Sequence, residues 1–346
     1  MNFQFNLMNH NERGKASLED PIAIIGNMLH SLGHTAVWPK NNDHFITRDC
    51  GYNVIVEGFN DACIKIIKQV YKEGARFICI ATEEPTPLGF NWGRDREMRW
   101  RQKTFPEAAQ FFDAILHLVP GQNVTNWYDQ WAPAAYIELG YAPTLYRPSN
   151  IVPPYDFGFF GSVSRRRYQI IKRLEKLYRV LLVHDFPDLE ARDRAVYHCK
   201  CILQLRKNDS MGLVSSSRCN TSLMCGRPIL AEPHQLSKPW DQIVRFSPTM
   251  EKFYDDCMFM RGTWEGMYQD QFQKFKALLP AQVALAPALK KIGIDLSKPK
   301  FQLPVLSATD TQKSVFPRMA DISAISNKLK MDSIRSSVCH WTAPQL

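Results

Sequence analysis

Short apolar segments alternate with amphipathic ones twice along this sequence, and a proline-rich stretch separates the two runs. In the first run, residues 3–8, 35–38, 53–57, 76–82 and 114–119 read as strands, and residues 21–32, 62–72 and 129–139 as helices. Asp20 has the chemistry of an N-cap, with Pro21 at the first helical position and Gly33 just past the end. Gly140 takes the same stop position after residues 129–139. The stretch APTLYRPSNIVPP (142–154) has four prolines and reads as an extended linker. Beyond it the alternation restarts. Residues 156–160, 180–183, 201–205, 228–231 and 243–246 read as strands, and 165–177, 189–198, 214–225, 250–259 and 265–278 as helices. Helices returning between short apolar strands make those strands parallel and cover both faces of the sheet. The sequence thus predicts an α/β protein of two similar halves.

With 346 residues the chain is long enough for two cores. The expected division is residues 1–150, residues 151–280, and a basic extended tail over 281–346. That tail carries nine Lys and Arg against four Asp, so +5 of the formal +9 lies there. A net positive charge suits a polyanionic partner without naming one. No apolar run reaches the ~18 residues of a spanning helix, so no membrane span is expected. The N-terminal residues show no secretory pattern, and the nine cysteines are scattered. They read as reduced thiols, and a cytoplasmic location is expected.

In an open parallel sheet, ligands bind beyond the carboxyl ends of the strands, so the loops there carry the candidate chemistry. After residues 156–160, Gly161, Ser162 and Ser164 make a turn, and a helix opens with Arg165, Arg166 and Arg167. Free N–H groups at a helix start, hydroxyls and guanidiniums together attract phosphate. The turn has neither a Walker A nor a G-x-G-x-x-G pattern, and a plain turn with solvent-facing arginines is the other reading. A second such loop runs from Arg206 through Asp209 to Ser215, Ser216, Ser217 and Arg218, where the serines also suit simple N-capping. The strand over 228–231 ends at Glu232.

In the first half, Glu83 and Glu84 follow the strand over 76–82. One carboxylate there would orient a hydroxyl or act as a base, and the alternative is that both only cap the loop. His34, between a helix and a strand, is a catalytic candidate of a kind that often only packs. His10 and Arg13 lie in the first strand–helix loop and are candidate substrate contacts. The segment NWGRDREMRWRQK (91–103) mixes five basic residues with two tryptophans. Trp92 and Arg94 are its candidates for stacking on, and pairing with, a nucleic acid. A solvated helix with internal ion pairs is the alternative.

Taken in order, FFGS-x-S-x-R-R, the pair Arg192-Asp193, CKCILQL, the helix bearing Arg218, CGRPILAE and IVRF resemble the donor half of GT-B glycosyltransferases. More narrowly they resemble the spore-maturation-type group with a "glycosyl transferases family 1" C-terminal domain. The resemblance covers residues 156–259 and reaches the first 150 residues only in topology. It implies two facing Rossmann-like domains with an interdomain cleft, and a hexosyl- or pentosyltransferase. A nucleotide-sugar donor, most simply a UDP-sugar, would sit on the second domain and the acceptor on the first. Such enzymes generally need no cofactor or metal, because cationic side chains and a helix N-terminus stabilise the departing diphosphate. Gly161, Ser162 and Arg165 match the donor loop, Arg218 the arginine of the following helix, and Glu232 the acidic strand end. Many members carry a Glu before that arginine. Here Ser215–Ser217 stand instead, which leaves Asp209 as the acidic candidate near the sugar. The acceptor is a small molecule, a cell-surface precursor, a protein, or hydroxymethylated pyrimidine in DNA. The missing Glu motivates an alternative, a non-catalytic GT-B-like protein that binds nucleotide sugar or nucleic acid.

Overall fold

The computed structural model describes residues 1–7, 12–37, 46, 51–93, 96–183, 188–207, 214–234 and 238–294, with side chains from residue 18 in the first helix. The first six strands are β1 (Asn2–Asn6), β2 (Thr35–Val37), β3 (Tyr52–Val56), β4 (Phe77–Ala81), β5 (Ala114–His117) and β6 (Ala134–Tyr136). They pair in parallel in the order β2-β1-β3-β4-β5-β6. Strands β7 (Tyr155–Phe160), β8 (Val180–Val183), β9 (Cys199–Gln204), β10 (Ile229–Ala231) and β11 (Arg245–Phe246) form a second parallel sheet, β11-β10-β9-β7-β8. Every residue of β3 (YNVIV) and β4 (FICIA) is buried, as expected where helices cover both faces. In each sheet the chain starts at an interior strand, moves to one side, then crosses to the other. The reversals fall between β1 and β3 and between β7 and β9, and each opens a crevice at the carboxyl edge.

The helices are α1 (Glu12–Ser31), α2 (Asp61–Lys72), α3 (Arg96–Ala109), α4 (Gln122–Tyr128), α5 (Arg165–Leu174), α6 (Leu189–Tyr197), α7 (Ser216–Met224), α8 (Trp240–Ile243), α9 (Met250–Leu278), α10 (Ala281–Ala284) and α11 (Ala286–Lys291). Their pattern departs most from the sequence reading at four places. Helix α1 starts at Glu12, so Pro21 lies inside it and Asp20 is not its cap. An interior proline costs about 3 kcal/mol. Burial of Ile22, Ile24, Ile25, Met28 and Leu29 on the sheet offsets that cost. No helix spans residues 129–139. Pro133 cannot donate within a helix. Asp129 accepts the Ala134 N–H at 2.6 Å, and residues 134–136 leave as the edge strand β6. Helix α9 runs unbroken through Gly262 and Gly266, because Phe253, Met260, Phe272 and Phe275 are buried on both sides of them. Residues 281–291, expected to be extended, form α10 and α11, while residues 295–346 lie outside the described part.

One apolar cluster joins the two sheets. It contains Phe3, Phe5 and the buried face of α1, Leu223 and Met224 of α7, Phe272 and Phe275 of α9, and Leu285 and Leu289. The Asn220 amide of α7 donates to the carbonyls of Leu139 (3.1 Å) and Gly140 (2.6 Å) beyond β6. Arg192 of α6, fully buried, pairs with Asp20 of α1 and with Asp193, which also holds Arg147 of the linker. The residues 192–193 of the sequence resemblance therefore tie the halves together.

Candidate active site

The carboxyl edge of the second sheet is cationic. Strand β7 runs into Gly161, whose φ of 121° favours glycine, and Ser164 caps α5 by accepting the Arg167 N–H. The cap fixes the helical phase. Arg167, Ile170, Ile171 and Leu174 share the buried face, and Arg165 is exposed. Arg167 turns back under the turn, donating Nε (3.0 Å) and Nη2 (2.7 Å) to the Leu205 carbonyl and Nη1 (2.7 Å) to the Ser162 carbonyl. Arg218, in the first turn of α7, donates Nε to the Phe160 carbonyl at 2.9 Å and Nη1 to Gln204 Oε1 at 2.6 Å. A Cβ on Gly161 would stand 2.9 Å from Arg218 Nη2. Both guanidiniums lie over Phe159.

Neither Arg167 nor Arg218 hydrogen-bonds a carboxylate among the described residues. Burial, reinforced by Arg167, pushes Arg218 down to about 9, and burial brings Arg167 to about 10. The nearby carboxylate, Glu232, is fully buried and committed elsewhere. It accepts a two-pronged pair from Arg166 and the Arg206 backbone N–H, and Arg206 Nε stands 3.7 Å away. Among the described residues, then, Arg166 and Arg206 face Glu232 while Arg167 and Arg218 rest on carbonyls and an amide. Two buried guanidiniums held that way suit an anion. Ser215 is spent as the cap of α7, accepting the Arg218 N–H, and Ser216 and Ser217 are half-buried.

The carboxyl edge of the first sheet is acidic and densely hydrogen-bonded. Glu57, just after β3, is fully buried. Its Oε1 accepts the backbone N–H and the hydroxyl (2.9 Å) of Thr82, and Tyr128 Oη lies 3.1 Å from Oε2. Glu83 accepts Arg101 Nη1 at 2.8 Å and the Asn91 side-chain amide, while keeping partial exposure. Burial first, then the Glu83 charge, raises Glu57 to about 7 against the pull of Arg101 and Thr82. Glu84 uses its backbone, exchanging bonds with Asn91. Asn91 (φ 50°) and Trp92 (φ 70°) both adopt left-handed backbone, and Trp92 is 49% exposed. Two adjacent non-glycine residues thus hold left-handed backbone beside the Glu83 carboxylate.

The other sequence candidates separate from these two edges. His34 is buried at the amino end of the first sheet, packed edge-on to Phe3, with its pKa lowered by burial and both ring nitrogens unpartnered. It is a packing residue and is not brought to Glu83. His10, Arg94, Asp209 and the Arg13 side chain lie outside the described residues. The structure adds Arg167, Arg101, Glu57 and Tyr128. The signal for the two arginines was present. Arg167 leads an i, i+3, i+4, i+7 apolar set, and Arg101 leads Thr104, Phe105 and Ala108 in the same way. Among the described residues, no three His, Cys, Asp or Glu side chains gather as a metal site would require, and no helix is long and apolar enough to cross a membrane.

The backbone is similar to that of T4 phage BGT in complex with UDP and Mn2+, at 10% identity, over 85% of this chain and 100% of that one, with a TM-score of 0.54. It is likewise similar to the DNA-modifying enzyme β-glucosyltransferase solved with and without uridine diphosphoglucose (10% identity; 84% and 99% of the chains; TM-score 0.51). The fold is GT-B. Anabaena HepE in complex with UDP-glucose is similar at 9% identity, over 84% of this chain and 99% of that one, with a TM-score of 0.50. No protein-family model matches the chain, and no curated protein matches it. Glycosyltransferases of GT-B architecture, with two Rossmann-like domains, are thus its structural neighbours.

Proposed function

We propose that the protein transfers a sugar from a nucleotide-sugar donor to an acceptor hydroxyl in the interdomain cleft. One observation carries this reading: among the described residues, Arg167 and Arg218 are buried at the ends of β7 and β9 on neutral hydrogen-bond acceptors. A diphosphate there supplies the missing negative charge, and the guanidiniums with the start of α5 stabilise it as it departs. Glu83 accepts the acceptor proton as general base, and Arg101 and Asn91 hold its carboxylate in place. A UDP-sugar is the favoured donor, since the neighbours named above were solved with UDP or its glucose derivative. The narrower kinship with the spore-maturation-type group rests on the sequence motifs.

For the acceptor we favour hydroxymethylated pyrimidine in DNA. The likeness to a DNA-modifying glucosyltransferase and the exposed Trp92 on its strained loop support that choice, because an indole offers a stacking face for a base. The test is incubation with a panel of UDP-sugars and hydroxymethylcytosine DNA, read by mass. The expected result is a shift of one sugar residue, lost in Glu83→Gln and in Arg218→Met. Donor binding with no transfer to any acceptor would favour the second reading, a GT-B-like binding protein, which the commitment of Glu232 to Arg166 and Arg206 supports.

A further inference from the structure

Tyr128 has one phenolic proton and two acceptors within reach. Its Oη lies 3.1 Å from Glu57 Oε2 and 2.9 Å from the Glu83 carbonyl oxygen. A single proton serves one of them. The other oxygen of Glu57, Oε1, already accepts two donors, the backbone N–H and the hydroxyl of Thr82, which fills the lone pairs of a carbonyl oxygen. The count closes when Glu57 is neutral. Oε1 is then the carbonyl oxygen, Oε2 carries a proton and donates it to Tyr128 Oη, and Tyr128 donates its own to the Glu83 carbonyl. We propose that Glu57 is held as a neutral carboxylic acid that, through Thr82 on one side and Tyr128 on the other, clamps the backbone of residues 82–83 and so positions the Glu83 carboxylate.

The surroundings favour this state. Facing Glu57 are Cys79 of β4, Glu83 of the following loop, Arg101 of α3 and Tyr128 of α4, with Cys63 of α2 and His117 of β5 next to these. Burial holds the Cys63 and Cys79 thiols and the Tyr128 phenol protonated, and it lowers the pKa of His117, so none of these adds charge near neutrality. Arg101 is the local cation, and its Nη1 is directed to Glu83 Oε1, while its Nη2 reaches only the Glu57 backbone carbonyl at 3.4 Å. An ionised Glu57 would compete with that clamp for the Tyr128 proton and repel Glu83. Glu57 is therefore a positioning residue and does not touch substrate.

The role given to Glu83 rests on the transfer reading, whereas the protonation of Glu57 is measurable without it. The experiment is the melting temperature of the full chain between about pH 5 and about pH 9, for wild type and Glu57→Gln. A glutamine reproduces the neutral acid: its carbonyl accepts from Thr82 and its amide donates to Tyr128. The wild-type carboxyl, raised from an ordinary 4.5 to about 7, binds its proton more tightly folded than unfolded. Its contribution is full below the ordinary value and is lost as pH rises through about 7. The wild type should therefore lose melting temperature relative to Glu57→Gln over that window, and the variant should match or exceed it at about pH 8. A variant that melts lower than wild type throughout, with a parallel pH dependence, overturns the proposal. Infrared difference spectra of the wild type give an independent reading. A protonated-acid C=O band near pH 6 that disappears by about pH 9 is expected, and its absence contradicts the assignment. In turnover, Glu57→Gln should move the alkaline limb of the kcat profile upward and Tyr128→Phe should lower kcat with KM unchanged. If the alkaline limb stays in place, the clamp does not position Glu83.

Discussion

Among the described residues, the carboxyl edge of the second sheet gathers Arg166, Arg167, Arg206 and Arg218 around Glu232, whereas that of the first sets Glu57 and Glu83 beside Arg101. The backbone frame is the same in both: parallel strands, a reversal of strand order, and helix starts beyond the strand ends. The side chains that fold back onto each edge differ. Arg167 and Arg218 point under the turn and rest on carbonyls and an amide, so their charge is left over. Glu57 and Glu83 meet Thr82, Asn91 and Arg101 as donors, and the Tyr128 hydroxyl links Glu57 to the Glu83 backbone carbonyl. One frame therefore carries a cationic edge and an acidic edge, and the proposed division into anion binding and proton handling rests on that contrast.

The comparison can be broken most forcefully on the acidic side. Glu83→Gln removes the base and keeps the hydrogen-bonding shape, so kcat should fall about 10²–10⁴-fold. Donor-induced stabilisation should be unchanged. Parallel loss of donor binding would mean that the two edges are one site with no division of labour. On the cationic side, Arg218→Met keeps bulk and removes the buried charge. Donor affinity should drop by about 2–4 kcal/mol. The ligand-free melting temperature should stay level or rise, because an undercompensated buried charge is costly. A large drop without ligand would assign Arg218 to stability alone.

How much of this was readable from sequence differs between the same two edges. The strands of the second half, its linker and the phosphate-type turn follow from local patterns: Gly161 at a strand end, Ser164 as cap, and apolar runs in β7, β9 and β10. Within that turn, Arg165 stands out by position beside the serines, but the cap phases the helix so that Arg167 is the inward residue. Glu232 reads as a donor contact, yet its partners come from the first turn of α5 (Arg166) and the loop after β9 (Arg206), which local sequence does not bring together. The acidic edge is less legible still. Glu57, Tyr128 and Glu83 are joined over separations of 71 and 45 residues, and only the sheet order makes them neighbours. Pro133 argues against a helix over 129–139, and α4 instead ends at Tyr128. His34 shows the converse, a reactive residue type placed at the amino end of the sheet, away from both edges.

Two smaller effects sharpen the comparison. Gly161→Ala forces a Cβ to 2.9 Å from Arg218 Nη2 at a φ of 121°, so stability should fall by about 1–3 kcal/mol, and donor binding should weaken with it. Urea melts with and without a UDP-sugar would measure both. Trp92→Ala should leave stability within about 0.5 kcal/mol, because the side chain is half exposed. It should raise the KM of a DNA acceptor roughly five-fold, about 1 kcal/mol of stacking, with Trp92→Phe recovering most of it. An unchanged KM would detach the loop from the acceptor.

The uncompensated charge of Arg167 and Arg218 is the centre of this account, and ligand-induced thermal stabilisation tests it directly. The full chain is melted with UDP-, GDP-, ADP- and CMP-sugars, each at a large excess. A ligand present at about 100 times its Kd adds about 2.7 kcal/mol to the native state, so the true donor should stand apart. The account predicts that a UDP-sugar raises the melting temperature and that Arg218→Met abolishes the rise. No shift with any nucleotide sugar, or a shift that survives in Arg218→Met, would contradict it.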